Sequence, residues 1–218
     1  MSDKKQLLRN LASLKKALTS ARAQEMLIEL KKEIEALPTE TKSQKSFDLA
    51  LPEEIQKNPS AFALFSDGAC RGNPGPGAWG MLGQDGQGVV LFEASGVDLV
   101  TTNNRMELMG AIESLRALEQ YMRAEKKSFS SVVFLYSDSR YVLDGLSTWI
   151  AGWKARGWKK ADKKAPENLD LWMELDEVSA QFTALKTIWV KGHSGHPQNE
   201  RCDLIANLAL DEAGYFSK

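Results

Sequence analysis

The sequence predicts an α/β domain: a five-stranded mixed sheet with helices on both faces, preceded by a helical extension. Three observations predict it. A run of three strand-like segments is followed by strands alternating with amphipathic helical stretches, the order expected of a mixed sheet covered by helices. With 43% hydrophobic and 26% charged residues, the 218-residue chain has the composition and length of a globular domain with a full core. Residues 1–60 contain neither Gly nor Trp, although the chain has 16 Gly and 6 Trp, so the composition changes at a boundary near residue 60.

Charge and cysteine content exclude several classes. A formal net charge of −1 excludes a bulk polycation that coats nucleic acid, but leaves room for a local basic patch. Two distant cysteines, Cys70 and Cys202, support neither a disulfide scaffold nor a Cys-rich zinc site. No apolar run approaches the ~18 residues a membrane span needs, and the opening MSDKKQLLRN carries no apolar signal core. A reducing cytoplasm is the expected compartment, with no membrane partner.

In chain order, residues 1–37 read as the helical extension. Leu7, Leu11, Leu14 and Leu18 form one stripe, and Leu27, Leu30, Ile34 and Leu37 a second, out of phase with the first. A hairpin broken at Thr19-Ser20 accounts for both. Pro38 ends the pattern, and residues 38–60, polar and interrupted by Pro52 and Pro59, read as a linker. The leucine stripes need a cover, so the extension is expected to bind a protein or to self-associate.

A second domain is assigned to residues 61–218. Ala61–Ser66 reads as a strand ending at Asp67, followed by a Gly/Pro-dense turn from Gly68 to Gly77. Strands Ala78–Leu82 and Val89–Ala94 complete a meander. Arg105–Glu125 is an amphipathic helix whose buried face is Leu108, Ile112, Leu115, Leu118 and Met122. Strand Val132–Ser137 ends at Asp138. Helix Ser139–Trp149, helix Leu169–Phe182, strand Thr187–Val190 and helix Gln198–Asp211 follow.

The acids suggest chemistry. Asp67 and Asp138 end strands, where open α/β sheets place their sites. Glu107 opens the long helix, and Asp203 lies one turn into the last one. Four carboxylates at one sheet edge repel unless cations neutralise them, and oxygen-only ligands select Mg²⁺ or Mn²⁺. Each acid also has a plainer explanation. Glu107 with Asn104 fits a capping box, Asp67-Gly68 and Asp138-Ser139 fit turns, and Asp203 fits a solvated helix face. A basic stretch from Trp149 to Lys164 holds Lys154, Arg156, Lys159, Lys160, Lys163 and Lys164 against Asp162, with Trp149, Trp153 and Trp158 interleaved. It reads as a phosphate-tracking surface or as a solvated helix and loop.

Four blocks carry a resemblance. Asp67-Gly68-Ala69-Cys70-Arg71-Gly72-Asn73-Pro74-Gly75-Pro76-Gly77, then Thr101-Thr102-Asn103-Asn104-Arg105-Met106-Glu107-Leu108, resemble the first two signatures of type 1 ribonuclease H, ribonuclease HI. Ser137-Asp138-Ser139 with Tyr141-Val142 resembles the third. Val190 to Pro197 with Asn199-Glu200-Arg201-Cys202-Asp203 resembles the fourth. The blocks keep the family's order and spacing over about residues 61–213, and look closest to the bacterial form. Residues 1–60 do not resemble the aromatic-rich hybrid-binding domain of some relatives.

The resemblance implies a ribonuclease H-like fold and an endonuclease that hydrolyses the RNA strand of RNA–DNA hybrids. It implies a two-metal-ion mechanism leaving 5′-phosphate and 3′-hydroxyl ends. The metal-binding carboxylates would be Asp67, Glu107, Asp138 and Asp203, holding two Mg²⁺ with Mn²⁺ as a substitute. His193 would be a mobile-loop histidine that assists proton movement or product release. Gly68, Cys70, Asn73, Thr102, Asn103 and Asn104 would follow the hybrid's minor groove. Arg140, Trp149, Trp153, Lys154, Arg156, Lys159 and Lys160 would contact the DNA strand. Val100 and Gly152 stand where many members have a basic and a polar residue, and Arg140 where Gln is common, so the DNA-phosphate pocket looks thinned. The catalytic domain is expected to be monomeric. A non-catalytic hybrid-binding or scaffold protein on the same fold is the alternative, disfavoured by the complete acid quartet.

Overall fold

The computed structural model describes residues 49–192 and 194–216. The expected hairpin at residues 1–37, residues 38–48 and His193 lie outside the described residues. Among the described residues, no helix is long and apolar enough to cross a membrane.

Two-residue periodicity builds the sheet. On β1 (Phe62–Cys70), Phe62 and Leu64 enter one apolar cluster, Ala63 and Phe65 the other. On β4 (Val133–Ser137), Val133 and Leu135 match the first pair, Phe134 and Tyr136 the second. Both strands are therefore covered on both faces, as central strands must be. With β2 (Gly75–Asp85), β3 (Val90–Thr101) and β5 (Leu185–Trp189), the order is β3-β2-β1-β4-β5. The meander pairs antiparallel, whereas β1–β4 and β4–β5 pair parallel. The five-stranded mixed sheet agrees with the expectation.

Helix α2 (Asn103–Ala124) buries Leu108, Ile112, Leu115, Leu118 and Met122 on the first face. Beside it α3 (Arg140–Asp144), a π-helical stretch (Gly145–Trp149), α4 (Ile150–Ala155) and α5 (Leu169–Ser179) surround Trp172, which is fully buried. Helix α6 (Pro197–Glu212) covers the second face through Cys202. The short α1 (Glu53–Gln56) adds Ile55 to the same cluster.

Three segments depart from expectation. The first is residues 49–60, expected as linker but packed on the domain. Ile55 is fully buried, Leu49 and Leu51 pack beside it, and the Ala50 carbonyl accepts from Gln198 Nε2 at 3.0 Å. Pro52 does not break structure there; it occupies the N-cap of α1, where proline's missing N–H does no harm. Second, β1 runs through Asp67 to Cys70, because the ladder with β2 continues to Cys70–Gly77, so only residues 71–74 form the turn. Third, the helix expected at Ser139–Trp149 widens into the π-helical stretch and continues to Ala155.

Packing of residues 49–59 on the core makes a truncation there destabilising. A chain starting at Ser60 loses Ile55, and deleting one such buried side chain costs roughly 2–5 kcal/mol. Its melting temperature is expected to fall roughly 5 °C or more below that of a chain starting at Asp48. Equal melting temperatures would show that residues 49–59 add nothing to the core.

Candidate active site

Close backbone approaches assemble the site. Asp67 lies within β1, its register partner on β2 being Gly80. A Cβ at Gly80 would collide with the Cys202 carbonyl, so glycine lets α6 press onto β2 and brings Asp203 toward Asp67. At Gly68 a Cβ would come within 2.7 Å of the Glu107 backbone nitrogen. Glycine there lets the first turns of α2 abut β1. Thr102 caps α2, its hydroxyl accepting from the Arg105 N–H at 3.4 Å. The cap is therefore Thr102 and not Asn104, and the capping-box explanation of Glu107 falls away.

Glu107 is instead buried beside Asp67. One ligand atom each from Asp67, Glu107 and Asp138 lies within 4.8 Å of the others. Asp67 and Glu107 are both only 6% exposed. Asp67 Oδ1 accepts from the Gly68 N–H at 2.8 Å, and Oδ2 from Asn199 Nδ2 at 3.3 Å. Glu107 Oε1 accepts from Asn103 Nδ2 at 3.2 Å, while Oε2 is buried with no partner. Burial first, then the charges of Asp138 and Asp203, push the Asp67 carboxyl up to about 8. Burial, then Asp67 and Asp138, hold Glu107 well above the usual carboxylate range. Asp67 lies inside the β1–β2 ladder, so its turn reading falls away, whereas Asp138 does stand in the bend between β4 and α3.

Asp203 joins less closely. It lies outside the trio that converges within 4.8 Å, although its charge reaches Asp67. Asn207 Nδ2 donates to Asp203 Oδ1 at 2.7 Å, so the side chain is held along its own helix. Asp138 is steadied from β5, where Trp189 Nε1 donates to its carbonyl at 3.0 Å.

A group of hard oxygen donors with one buried oxygen unpartnered fits a Mg²⁺-like cation. Cys202 does not add a soft ligand, because complete burial holds its thiol well above its ordinary value, in the protonated form.

The turn residues expected along the groove hold one another. Cys70 Sγ donates to the Gly72 carbonyl at 2.6 Å, and Asn73 Oδ1 accepts from the Asn103 N–H at 3.3 Å. Asn104 is at the surface. The basic stretch divides. Trp153 is 9% exposed and packs edge-on to Trp172 at 5.4 Å, with Trp149 at 5.8 Å from it. Trp153 is thus largely a core residue, and its remaining exposed surface lines the same open cavity as Lys160. The two tryptophans sit four residues apart, on one helical side turned toward Tyr141 and Trp172. Lys154 is committed to Asp176 at 2.8 Å. Arg156 Nε donates to the Lys159 carbonyl at 3.1 Å, and its guanidinium lies against Gly152, filling the space a side chain there would take. Lys159 and Lys160 stay at the surface, and Lys160 lines an open cavity of about 490 Å³ with Tyr141, Trp149 and Arg156. Arg140 stacks over Trp189 at 4.6 Å, and Val100 is 79% exposed.

Sequence reasoning passed over Asn199, Asn207 and Trp189. Asn199 lay inside the fourth block, and Asn207 stands four residues beyond Asp203, the spacing that makes helical neighbours. Trp189 carried no signal beyond its place at a strand end.

Comparison with known proteins agrees with this geometry. The RNase H family profile matches residues 59–211. A ribonuclease H of Cupriavidus metallidurans is 52% identical over 148 residues, covering 67% of this chain and 93% of the relative. One of Caulobacter sp. strain K31 is 50% identical over 147 residues, covering 67% of this chain and 88% of its own. Among solved structures, LC9-RNase H1, a type 1 RNase H with the type 2 active-site motif, superposes with a TM-score of 0.59 at 34% identity. It covers 71% of this chain and 74% of that one. The profile's span contains the buried acids, the relatives are about half identical over most of their own length, and on that ground the chain belongs to the ribonuclease H family of enzymes.

Proposed function

We propose that this enzyme cuts the RNA strand of RNA–DNA hybrids, with Asp67, Glu107, Asp138 and Asp203 holding two Mg²⁺ ions. One observation carries the proposal. Three carboxylates converge within 4.8 Å, and Glu107 Oε2 is buried without a partner. A buried unpaired carboxylate oxygen is costly unless a cation completes it. When bound, the ions supply Lewis-acid activation of the attacking water and neutralise charge at the leaving 3′ oxygen, with Mn²⁺ able to substitute. The protein's part is to hold the carboxylates rigidly. Asn103, Asn199, Asn207 and the Gly68 N–H each fix a carboxylate oxygen, so little rearrangement is needed on binding.

Substrate choice rests on the groove. Gly68, Cys70, Asn73, Thr102, Asn103 and Asn104 offer backbone and short polar groups to the 2′-hydroxyls that distinguish RNA from DNA. The DNA strand's phosphates fall to Lys159, Lys160, Arg156 and Arg140, with Lys154 released from Asp176 or acting beside it. His193 serves proton movement or product release, leaving 5′-phosphate and 3′-hydroxyl ends. The same reading gives a monomeric catalytic domain in the cytoplasm, with residues 1–37 left to hold a protein or a second copy. A substrate panel tests it: the RNA strand of a hybrid should be cut while DNA duplex of the same sequence stays intact. Comparable cutting of the DNA duplex would overturn the specificity.

A further inference from the structure

Asn207 holds Asp203, and Arg71 in turn holds Asn207. Arg71 lies in the β1–β2 turn, in the block expected to meet the hybrid, yet its side chain turns away to α6. Nη1 donates to Asn207 Oδ1 at 2.7 Å, Nη2 approaches Asp211 Oδ1 at 3.4 Å, and Nε donates to the Tyr215 carbonyl at 3.4 Å. The Arg71 side chain is only 20% exposed.

These contacts settle which way Asn207 points. A guanidinium has donors and no acceptor, so the atom facing it must be the amide oxygen. The amide nitrogen is then fixed on the opposite side, where it donates to Asp203 Oδ1 at 2.7 Å and to the Asp203 carbonyl at 2.8 Å. A flipped Asn207 would set its NH₂ against a guanidinium and its oxygen against a carboxylate, two repulsions in place of two bonds. Arg71 therefore enforces the orientation in which Asn207 restrains Asp203.

We propose that Arg71 and Asn207 form a positioning relay for Asp203, in which Arg71 sets the Asn207 amide and Asn207 presents the carboxylate to the metal site. The inference rests on the metal-site reading above. Asp203 is the one acid outside the tight trio, so its placement depends most on such support. The relay also joins the substrate groove to the fourth carboxylate, since Arg71 is flanked by Cys70 and Gly72 in the turn. Its backbone N–H is anchored there to the Pro76 carbonyl at 2.7 Å.

The test uses the full chain with Asn207→Ala, Asn207→Asp, Arg71→Ala, Arg71→Lys and the double alanine variant. Removing an outer partner of a metal ligand typically lowers metal affinity or activity about 10–100-fold. Asn207→Ala should weaken Mn²⁺ binding, read by calorimetry without substrate, by about tenfold. The Mg²⁺ concentration for half-maximal cleavage should rise in step, with KM for the hybrid within about twofold of wild type. Asn207→Asp should do at least as much, because it keeps the acceptor for Arg71 but sets a negative charge against Asp203. Arg71→Ala should show a smaller change in the same direction, with Arg71→Lys recovering part of it. In the Asn207→Ala background, Arg71→Ala should add no further change in metal affinity. Unchanged Mn²⁺ affinity and Mg²⁺ requirement in both Asn207 variants would overturn the relay, even if their melting temperatures fell. Additive effects in the double variant would overturn the order of action. A wild-type enzyme that binds neither ion and cleaves without them would instead refute the metal-site reading itself.

Discussion

Asp67→Asn is expected to lower kcat for hybrid cleavage by at least about a thousandfold while leaving hybrid affinity within a few-fold of wild type. The size follows from where the charge sits. Asp67 is central to the trio, and both its oxygens are already oriented, by the Gly68 N–H and by Asn199. Replacing one oxygen by NH₂ turns a ligand into a donor aimed at the cation's place. Losing the electrostatic stabilisation of a developing oxyanion costs on the order of 10²–10³ even for a single hydrogen-bond donor, and a metal ligand exceeds that. Affinity should survive, because on the proposed reading grip comes from the groove and from Lys159 and Lys160. Rate and affinity measured on the same preparation separate the two. Retention of more than a few per cent of the wild-type rate would show that Asp67 is not a metal ligand.

The second large effect concerns stability without metal. Folding raises the Asp67 carboxyl from its ordinary 3.8 to about 8, and Glu107 moves the same way. A carboxyl raised on folding binds its proton more tightly in the folded state. Its contribution is therefore present below the unfolded value and lost as pH climbs toward the folded one. Metal-free protein should lose stability between about pH 4 and 8, at most by roughly 4 kcal/mol from Asp67 at pH 7, seen as a falling melting temperature. Asp170 opposes this only at the acid end, because its pairing with Arg105 holds its carboxyl below the usual range. Asp67→Asn should flatten the decline and raise the melting temperature in chelator by roughly 5–10 °C at pH 7. Adding Mg²⁺ should stabilise wild type and hardly change the variant. A variant melting below wild type in chelator would show that the trio is not held under repulsion.

What could be read from the sequence divides along physical lines. Strands β1 and β4 were legible because each alternates between two buried faces, and α2 because its leucines recur at helical spacing. The four acids were legible because each sits in a distinctive local block. Thr102 as the cap was missed because Thr102 and Asn104 are both capping residues, with Asn the better one by preference, and only backbone conformation chooses between them. Residues 49–60 read as linker because Pro52 and Pro59 bracket so short a helix. A single turn has no periodicity to detect, and Ile55 reveals itself only through its tertiary contacts. Trp149 and Trp153 read as an outward surface because lysines surround them, yet both pack against Trp172 and keep only part of their surface on the cavity that Lys160 lines. Restraint of the acids by Asn199 and Asn207 was illegible, since it depends on which way two amides point.

The central claim is that the buried carboxylates are a divalent-metal site for cutting RNA paired to DNA. Its most direct test is cleavage of an end-labelled RNA–DNA hybrid by the full chain across a Mg²⁺ titration, with a chelator control. The account predicts endonucleolytic products from the RNA strand alone, bearing 3′-hydroxyl ends, that appear with Mg²⁺ and vanish with chelator. Cleavage that persists undiminished in chelator, or no cleavage at any Mg²⁺ or Mn²⁺ concentration by folded protein that still binds the hybrid, would contradict it.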